Sequence, residues 1–532
     1  VFYSYGVTKN VPLFNPLDPD VRMSAINNTD ISPTLKKDIR EHTIDYTERK
    51  GFNVSNVRID GLKREKAKPM PWDVSNFTAT YAYNEIHRRS VNVEYNINRQ
   101  YRANLQYAFT VRNPLSIKPF AKIKVFDRKW FALIKDFNVQ VLPNSFGTSV
   151  DVTRSYSAIK NRDITSFYGN VPEFGNPALV NKNFTINRNY NFRWDISKSI
   201  KYDYTASNEG RIFEPTGESR KSDKEHKDYI TKTFFRGRDS LTNGKNKFGQ
   251  YGENTNFRQQ MNLNVDIPIH KIPILDFVKT SYRFGGTYTW TRRPFAVEDV
   301  SMIGNTIQNT NSHNFTGNFN LTQLYNKIPF FRRLNSPKEG PKRGDVFSKQ
   351  PVTATDVKRP AKSKKDTTKT SNFKEVTEFL ARSLMMIKNI SLNYQLSGGQ
   401  ALPNFKPRSQ YAGMDFGEKQ APGFLFTTGL FDDRIRERSI DNKWLTTNTI
   451  QSTPYTQNFS QNLTYRSSIE PHGSLKIELN GSYARTENRT AYIVYDDKDT
   501  TRNQKKYKGY LFDQSPNVSG TFNISTFNFF NA

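Results

Sequence analysis

The side chains able to do chemistry are scattered, and few of them fall into reactive spacings. Six histidines, His42, His87, His226, His270, His313 and His472, stand far apart, with no H-x-x-x-H pair and no zinc spacing. Cysteine is absent, which removes disulfides and thiolate metal sites. Acidic pairs occur at Asp18 and Asp20, Asp432 and Asp433, and Asp496 and Asp497, yet none follows the spaced pattern of a dedicated calcium loop. A nucleophile elbow, a phosphate-binding loop and a G-x-G-x-x-G turn are all missing. The expectation is a protein that is not an enzyme and holds no cofactor or metal.

Charge is the next candidate for function. The net charge is +29, from 79 basic and 50 acidic side chains. Basic residues interleaved with aromatics suggest nucleic-acid binding when they gather on one element. Here they spread over the whole length without a recognition motif, so no nucleic-acid partner is expected. Cations on loops would instead meet anionic lipopolysaccharide or acidic cargo.

Composition then limits the elements that carry these groups. Only 35% of the 532 residues are apolar, but 14% are aromatic, with 40 Phe and 27 Tyr. Disordered chains are poor in aromatics. No stretch approaches the roughly 20 apolar residues of a spanning helix. Mean hydropathy is −0.75. A polar, ring-rich chain fits a transmembrane barrel, in which only alternate residues meet lipid and rings gather at the bilayer edges. The opening Val1 to Val7 carries no basic or apolar leader and reads like mid-strand, so the chain is expected to be an internal piece of a longer protein.

Period-two alternation dominates the sequence. Val91, Val93, Tyr95 and Ile97 alternate with Asn92, Glu94 and Asn96; Leu105, Tyr107 and Phe109 alternate with Arg102, Asn104 and Gln106. Asn98-Arg99-Gln100 is expected to join these two runs as a tight hairpin. Further runs lie near 184–194, 257–267, 280–290, 313–321, 388–396, 463–483 and 516–524, and roughly 15 are expected, near the length that crosses a bilayer. The alternate face is rich in Asn, Thr, Gln and Ser. Short connections are read at 143–147, 195–199 and 470–474, and long ones at 157–183, 207–256, 322–387 and 397–456. Short turns on one side with long loops on the other is the outer-membrane arrangement. The fold class expected is therefore all-β, a transmembrane antiparallel β-barrel with long loops and a few short amphipathic helices. Residues 1–70 read as irregular, 71–325 and 388–532 as barrel strands, and 326–387 as a basic flexible loop ending in an amphipathic helix near Phe373 to Ile387. The segment 397–456, rich in Gly and aromatics, is expected to be ordered, and Trp130 to Ile134 to be a rim helix or a poorly patterned strand.

Several local motifs go beyond any barrel. They are Ile272-Pro273-Ile274-Leu275-Asp276-Phe277-Val278 with Tyr282 and Trp290, Gly304-Asn305-Thr306-Ile307-Gln308-Asn309-Thr310, and Leu324-Tyr325-Asn326-Lys327-Ile328-Pro329. Ala421-Pro422-Gly423-Phe424, Trp444-Leu445-Thr446, Glu470-Pro471, Phe14-Asn15-Pro16 and Asp18-Pro19-Asp20-Val21-Arg22 complete the set. Together they resemble the SprA/Sov family, outer-membrane translocons of the type IX secretion system in Bacteroidetes. The resemblance runs along almost the entire chain and implies part of a very large single-chain barrel in the outer membrane of a Gram-negative bacterium. It also implies passage of folded cargo bearing a type IX C-terminal signal domain, a PorV-like barrel at a lateral opening, and a periplasmic plug protein.

On that reading Val91, Val93, Tyr95, Ile97, Leu105, Tyr107 and Phe109 face lipid. Asn92, Glu94, Asn96, Arg102, Asn104 and Gln106 line a wet lumen. A TonB-dependent-type nutrient transporter or a lipopolysaccharide-export barrel is the alternative within the membrane class. A soluble or surface all-β adhesin is the alternative outside it.

Overall fold

A computed structural model describes the chain except residues 29, 60–69, 112–113, 125–128, 164–175, 219–223, 237–250, 297–302, 336–371, 449–452, 473–474, 497–508 and 526–532. Of the basic loop and helix expected at 326–387, residues 336–371 thus lie outside the described residues.

The alternating runs become strands of one antiparallel sheet. They are β1 (Phe2–Asn10), β2 (Asp45–Val57), β3 (Phe77–Arg89), β4 (Val93–Thr110), β5 (Ser145–Asn161), β6 (Leu179–Trp194) and β7 (Ile200–Arg211), followed by β8 (Glu253–Ile267), β9 (Val278–Thr291), β10 (Asn305–Asn320), β11 (Ile387–Phe405), β12 (Tyr455–His472), β13 (Leu475–Tyr495) and β14 (Tyr510–Ile524). All 14 pair with their neighbours in chain order, a meander whose edges are β1 and β14. Among the described residues these edges do not pair with each other, so the expected closure into a barrel is not seen. Every residue of β1 is exposed.

Three expectations are corrected. The hairpin at 98–100 does not form, because β4 runs unbroken for 18 residues. Both runs carry their apolar residues at odd positions, so one strand keeps them in phase, and the turn lies at Ser90, where Val91 and Asn92 fall outside the strands. Residues 1–70 are not simply irregular, since β1 and β2 pair from Phe2↔Asn53 to Asn10↔Asp45. The short-side, long-side rule also fails. Calling the rim with turns 195–199 and 268–277 the lower one, the long connections 111–144 and 321–386 share it, while the tight turn at 90–92 lies on the upper rim. The length of a loop in sequence does not say which rim it occupies.

Helices fill the long connections. Helix α1 (Pro33–Thr43) starts with Pro at its first turn, and the Ser32 hydroxyl accepts from the Leu35 N–H at 3.3 Å. Helix α2 (Lys224–Arg236) lies in an upper connection, and α3 (Pro329–Asn335) and α4 (Asn372–Leu384) in a lower one. The helix expected near Phe373 is therefore present. The patch near Trp130 becomes a helical turn at Lys129–Phe131 and Ala132–Lys135. Helix α5 (Ile435–Asp441) belongs to the segment between β11 and β12.

Candidate functional site, a two-faced wall

Directly opposed residues in an antiparallel pair share a face. The register therefore defines continuous rows across the sheet. One row reads Ile200, Val265, Tyr282, Phe315, Tyr394, Leu463, Tyr483 and Ile524. The adjoining row, one residue along each strand, reads Lys201, Asn264, Arg283, Asn314, Gln395, Asn462, Ala484 and Asn523. The first belongs to an apolar face and the second to an amide face.

Strand β4 follows the same rule. Tyr95, Ile97, Leu105, Tyr107 and Phe109 lie on the apolar face, with Leu105 opposite Ala79 and Val150. Asn96, Arg102, Asn104 and Gln106 lie on the amide face, where Asn104 donates to Asp151 at 2.8 Å. The rule stops at a bulge between Val93 and Tyr95. Glu94 is the extra residue there, and its carboxylate meets Lys160, the register partner of Tyr95, at 2.8 Å instead of joining the amide face. Val91 and Asn92 belong to neither face.

The amide face is knitted by short cross-strand bonds. Asn189 donates to Ser149 at 3.2 Å, Ser391 to Asn318 at 2.7 Å, and the Thr486 and Thr521 hydroxyls lie 2.7 Å apart. These groups satisfy one another and still expose capacity to water.

The apolar face has two zones. Near the lower rim large side chains are left exposed, among them Phe77, Tyr81, Leu105, Phe146, Phe315, Tyr465, Ile477 and Phe522. Higher up, charge enters: Arg99 pairs with Glu85 at 3.3 Å, Arg154 with Glu214 at 2.7 Å, and Arg188 donates to Asn254. From β8 to β13 this upper zone is instead covered by the segment 406–446. Phe257, Tyr288, Trp290, Ile307, Leu402 and Phe405 of the sheet close around Phe426, Ile435, Ile440, Trp444 and Leu445 of the segment.

Buried amides hold the segment down. Gln259 donates to Thr427 O at 2.6 Å, Asn311 to Gly429 O at 3.0 Å, and Gln400 to Asp432 O at 3.1 Å. Asn309 reaches Phe426 O at 3.3 Å and Leu430 O at 2.7 Å, and accepts from the Gln400 N–H at 3.1 Å. Each amide sits in phase with apolar neighbours on its strand. Such a residue is costly unless its partners are supplied, and carbonyls of the segment supply them. Sequence reasoning did not single out Gln259, Asn311 or Gln400, although a lone amide inside an apolar phase was the available signal. Backbone contact is equally close. A Cβ on Gly286 would lie 2.0 Å from Thr428 O, and Gly429 adopts φ +89° against the backbone of Gly286 and Thr310.

Most motif residues sort into two clusters, while Phe14-Asn15 and Asp18–Arg22 pair as a short hairpin of their own in the connection between β1 and β2. Trp290, Asn305, Asn309, Pro422, Gly423 and Trp444 gather beneath and within the covering segment. There Trp290 donates to Pro407 O at 3.1 Å, Asn305 to Lys406 O at 3.2 Å, and Arg438 to Pro422 O at 3.1 Å. Pro273, Asp276, Tyr325, Asn326 and Pro329 gather at the lower rim. Lys327 donates to Pro273 O at 2.6 Å and to Ile274 O at 3.2 Å, and meets the Asp276 carboxylate at 2.5 Å. Tyr325 is buried and donates to Leu384 O at 3.0 Å. Glu470 and Pro471 are strand residues of β12, not a connection, and the Glu470 N–H donates to Met386 O at 2.7 Å beside α4. Among the described residues no group of three His, Asp or Glu side chains could hold a metal ion, and no helix is long and apolar enough to cross a membrane. Compared with protein-family models and with curated proteins, the chain matches none.

Proposed function

We propose that this sheet is part of the wall of a large outer-membrane β-barrel that conducts proteins. The observation that carries the reading is the height of the apolar face below the covering segment. On β10 the covering segment reaches down to Asn311 through Gly429, and Ser312 to Asn320 lie below it, half-buried to exposed except for the buried Gly317. Those residues span about 31 Å of strand at ~3.4 Å each. At a ~40° strand tilt that is roughly 24 Å of height, close to the ~25 Å apolar band of an outer-membrane barrel. The apolar face meets acyl chains there, and the amide face lines enclosed water.

The open edges support a larger assembly. Among the described residues the outer edges of β1 and β14 are unpaired, and unpaired N–H and C=O groups are not tolerated in hydrocarbon, so further strands close the wall. The amide lining gives a passing polypeptide weak, interchangeable hydrogen bonds. Sequence resemblance to the SprA/Sov translocons supports folded cargo of the type IX pathway as the passenger. A PorV-like barrel and a plug protein are the partners that resemblance implies.

One experiment tests the whole reading. The protein is purified in detergent, its partners are identified by mass spectrometry, and the complex is imaged. A second barrel at the wall with secreted cargo supports the translocon. A plug domain with small-molecule transport supports the nutrient transporter instead, and recovery in buffer without detergent removes the membrane reading.

A further inference from the structure

A cleft lies apart from both motif clusters, between α1 and the upper ends of β1, β2 and β3, with a volume of about 730 Å3. Helix α1 contributes Lys36, Lys37 and Arg40, and the sheet contributes Lys9 and Arg89. Among the described residues Glu41 is the one carboxylate of the lining, and it lies 3.9 Å from Arg89. Tyr46 presents its ring to both strand cations, 5.9 Å from the Lys9 ammonium and 5.1 Å from the Arg89 guanidinium. The Arg89 Nε–H is buried and meets no acceptor. Lys9, Lys37, Arg40 and Arg89 alone outnumber the one carboxylate of the lining, and such a concave basic site concentrates anions.

Position narrows the ligand. Tyr46 and Arg89 are register partners, and Arg89 shares the apolar face with Phe77, Tyr81 and Tyr83 of the same strand. It stands six residues beyond Tyr83, about 20 Å farther along the strand. The cleft therefore opens on the side of the apolar band and beyond its upper edge. A phosphomonoester carries roughly −1.5 to −2 charge and three acceptor oxygens, which suits several Lys and Arg donors and the unpartnered Nε–H. We propose that this cleft binds the phosphate-bearing headgroup of a glycolipid whose acyl chains lie on the apolar band. The inference rests on the proposed function, because it takes the apolar face as the face toward lipid.

The test uses the chain in detergent micelles, titrated with bis-phosphorylated lipid A, with the same lipid after dephosphorylation, and with inorganic phosphate, read by native mass spectrometry. Phosphorylated lipid A binds, and Lys37→Glu combined with Arg40→Glu weakens it at least tenfold. Lys37→Gln with Arg40→Gln, which leaves the helix neutral, gives an intermediate loss. Lys118→Glu with Lys122→Glu, on a lower connection, changes binding less than twofold. Equal binding of the dephosphorylated lipid, or displacement of lipid A by equimolar inorganic phosphate, overturns the proposal. A chain that stays in detergent yet binds lipid A equally in every variant sinks this site alone. A chain that never requires detergent sinks the barrel reading instead.

Discussion

Leu105→Arg separates a wall in lipid from a wall in water. Leu105 lies on the apolar face and is 49% exposed. In water, arginine at such a site changes stability by no more than about 0.5 kcal/mol. In a bilayer the outcome depends on depth, which the strand sets. Leu105 stands five residues above the lower end of β4 at Thr110, about 17 Å of strand at ~3.4 Å per residue. A ~40° tilt converts this to roughly 13 Å of height, the middle of a ~25 Å band, where arginine costs about 2–4 kcal/mol. That is roughly a 30- to 700-fold shift in the folding equilibrium. The assay is folding into lipid vesicles, followed by denaturant midpoint and by heat-modifiable migration on gels. Arg102→Leu on the amide face is the control. Its side chain is 69% exposed and lies 3.6 Å from Asp151, so its loss removes a surface pair worth less than about 1 kcal/mol. Equal effects at Leu105 and Arg102 would refute the assignment of faces.

The other predictions concern the two motif clusters. Asn309→Ala strands the buried Gln400 N–H and two carbonyls, destabilising by about 2–4 kcal/mol on the scale of unsatisfied buried groups, and protease cleavage within 406–446 should accelerate while β1 to β6 stay protected. Gly286→Ala should loosen the same segment, because its methyl would overlap the Thr428 carbonyl; unchanged amide exchange at 424–430 would contradict the contact. Lys327→Met should speed amide exchange across 272–277 with a loss of about 1 kcal/mol, and an unaltered exchange profile there would show that the clip is idle.

What the sequence determined by itself was the period. Alternation of Tyr, Phe, Leu, Ile and Val with Asn, Thr and Ser identifies strands because successive side chains point to opposite faces, and both chain position and face follow from that rule. The 98–100 hairpin failed for the same reason: Asn98, Arg99 and Gln100 look like a turn by composition, yet the phase passes through them unchanged. Which rim each loop occupies was not legible, since it depends on the number of strand crossings before it, and reading 91–111 as two strands instead of one moves every later loop to the opposite rim. Nor could the sequence say that Gln259, Asn309, Asn311 and Gln400 break the apolar phase because carbonyls from more than a hundred residues away, or from β11's own loop, meet them. Alternation is local and needs only neighbouring residues. The partners of a buried amide are supplied by distant backbone, and only the tertiary structure brings them within hydrogen-bond reach.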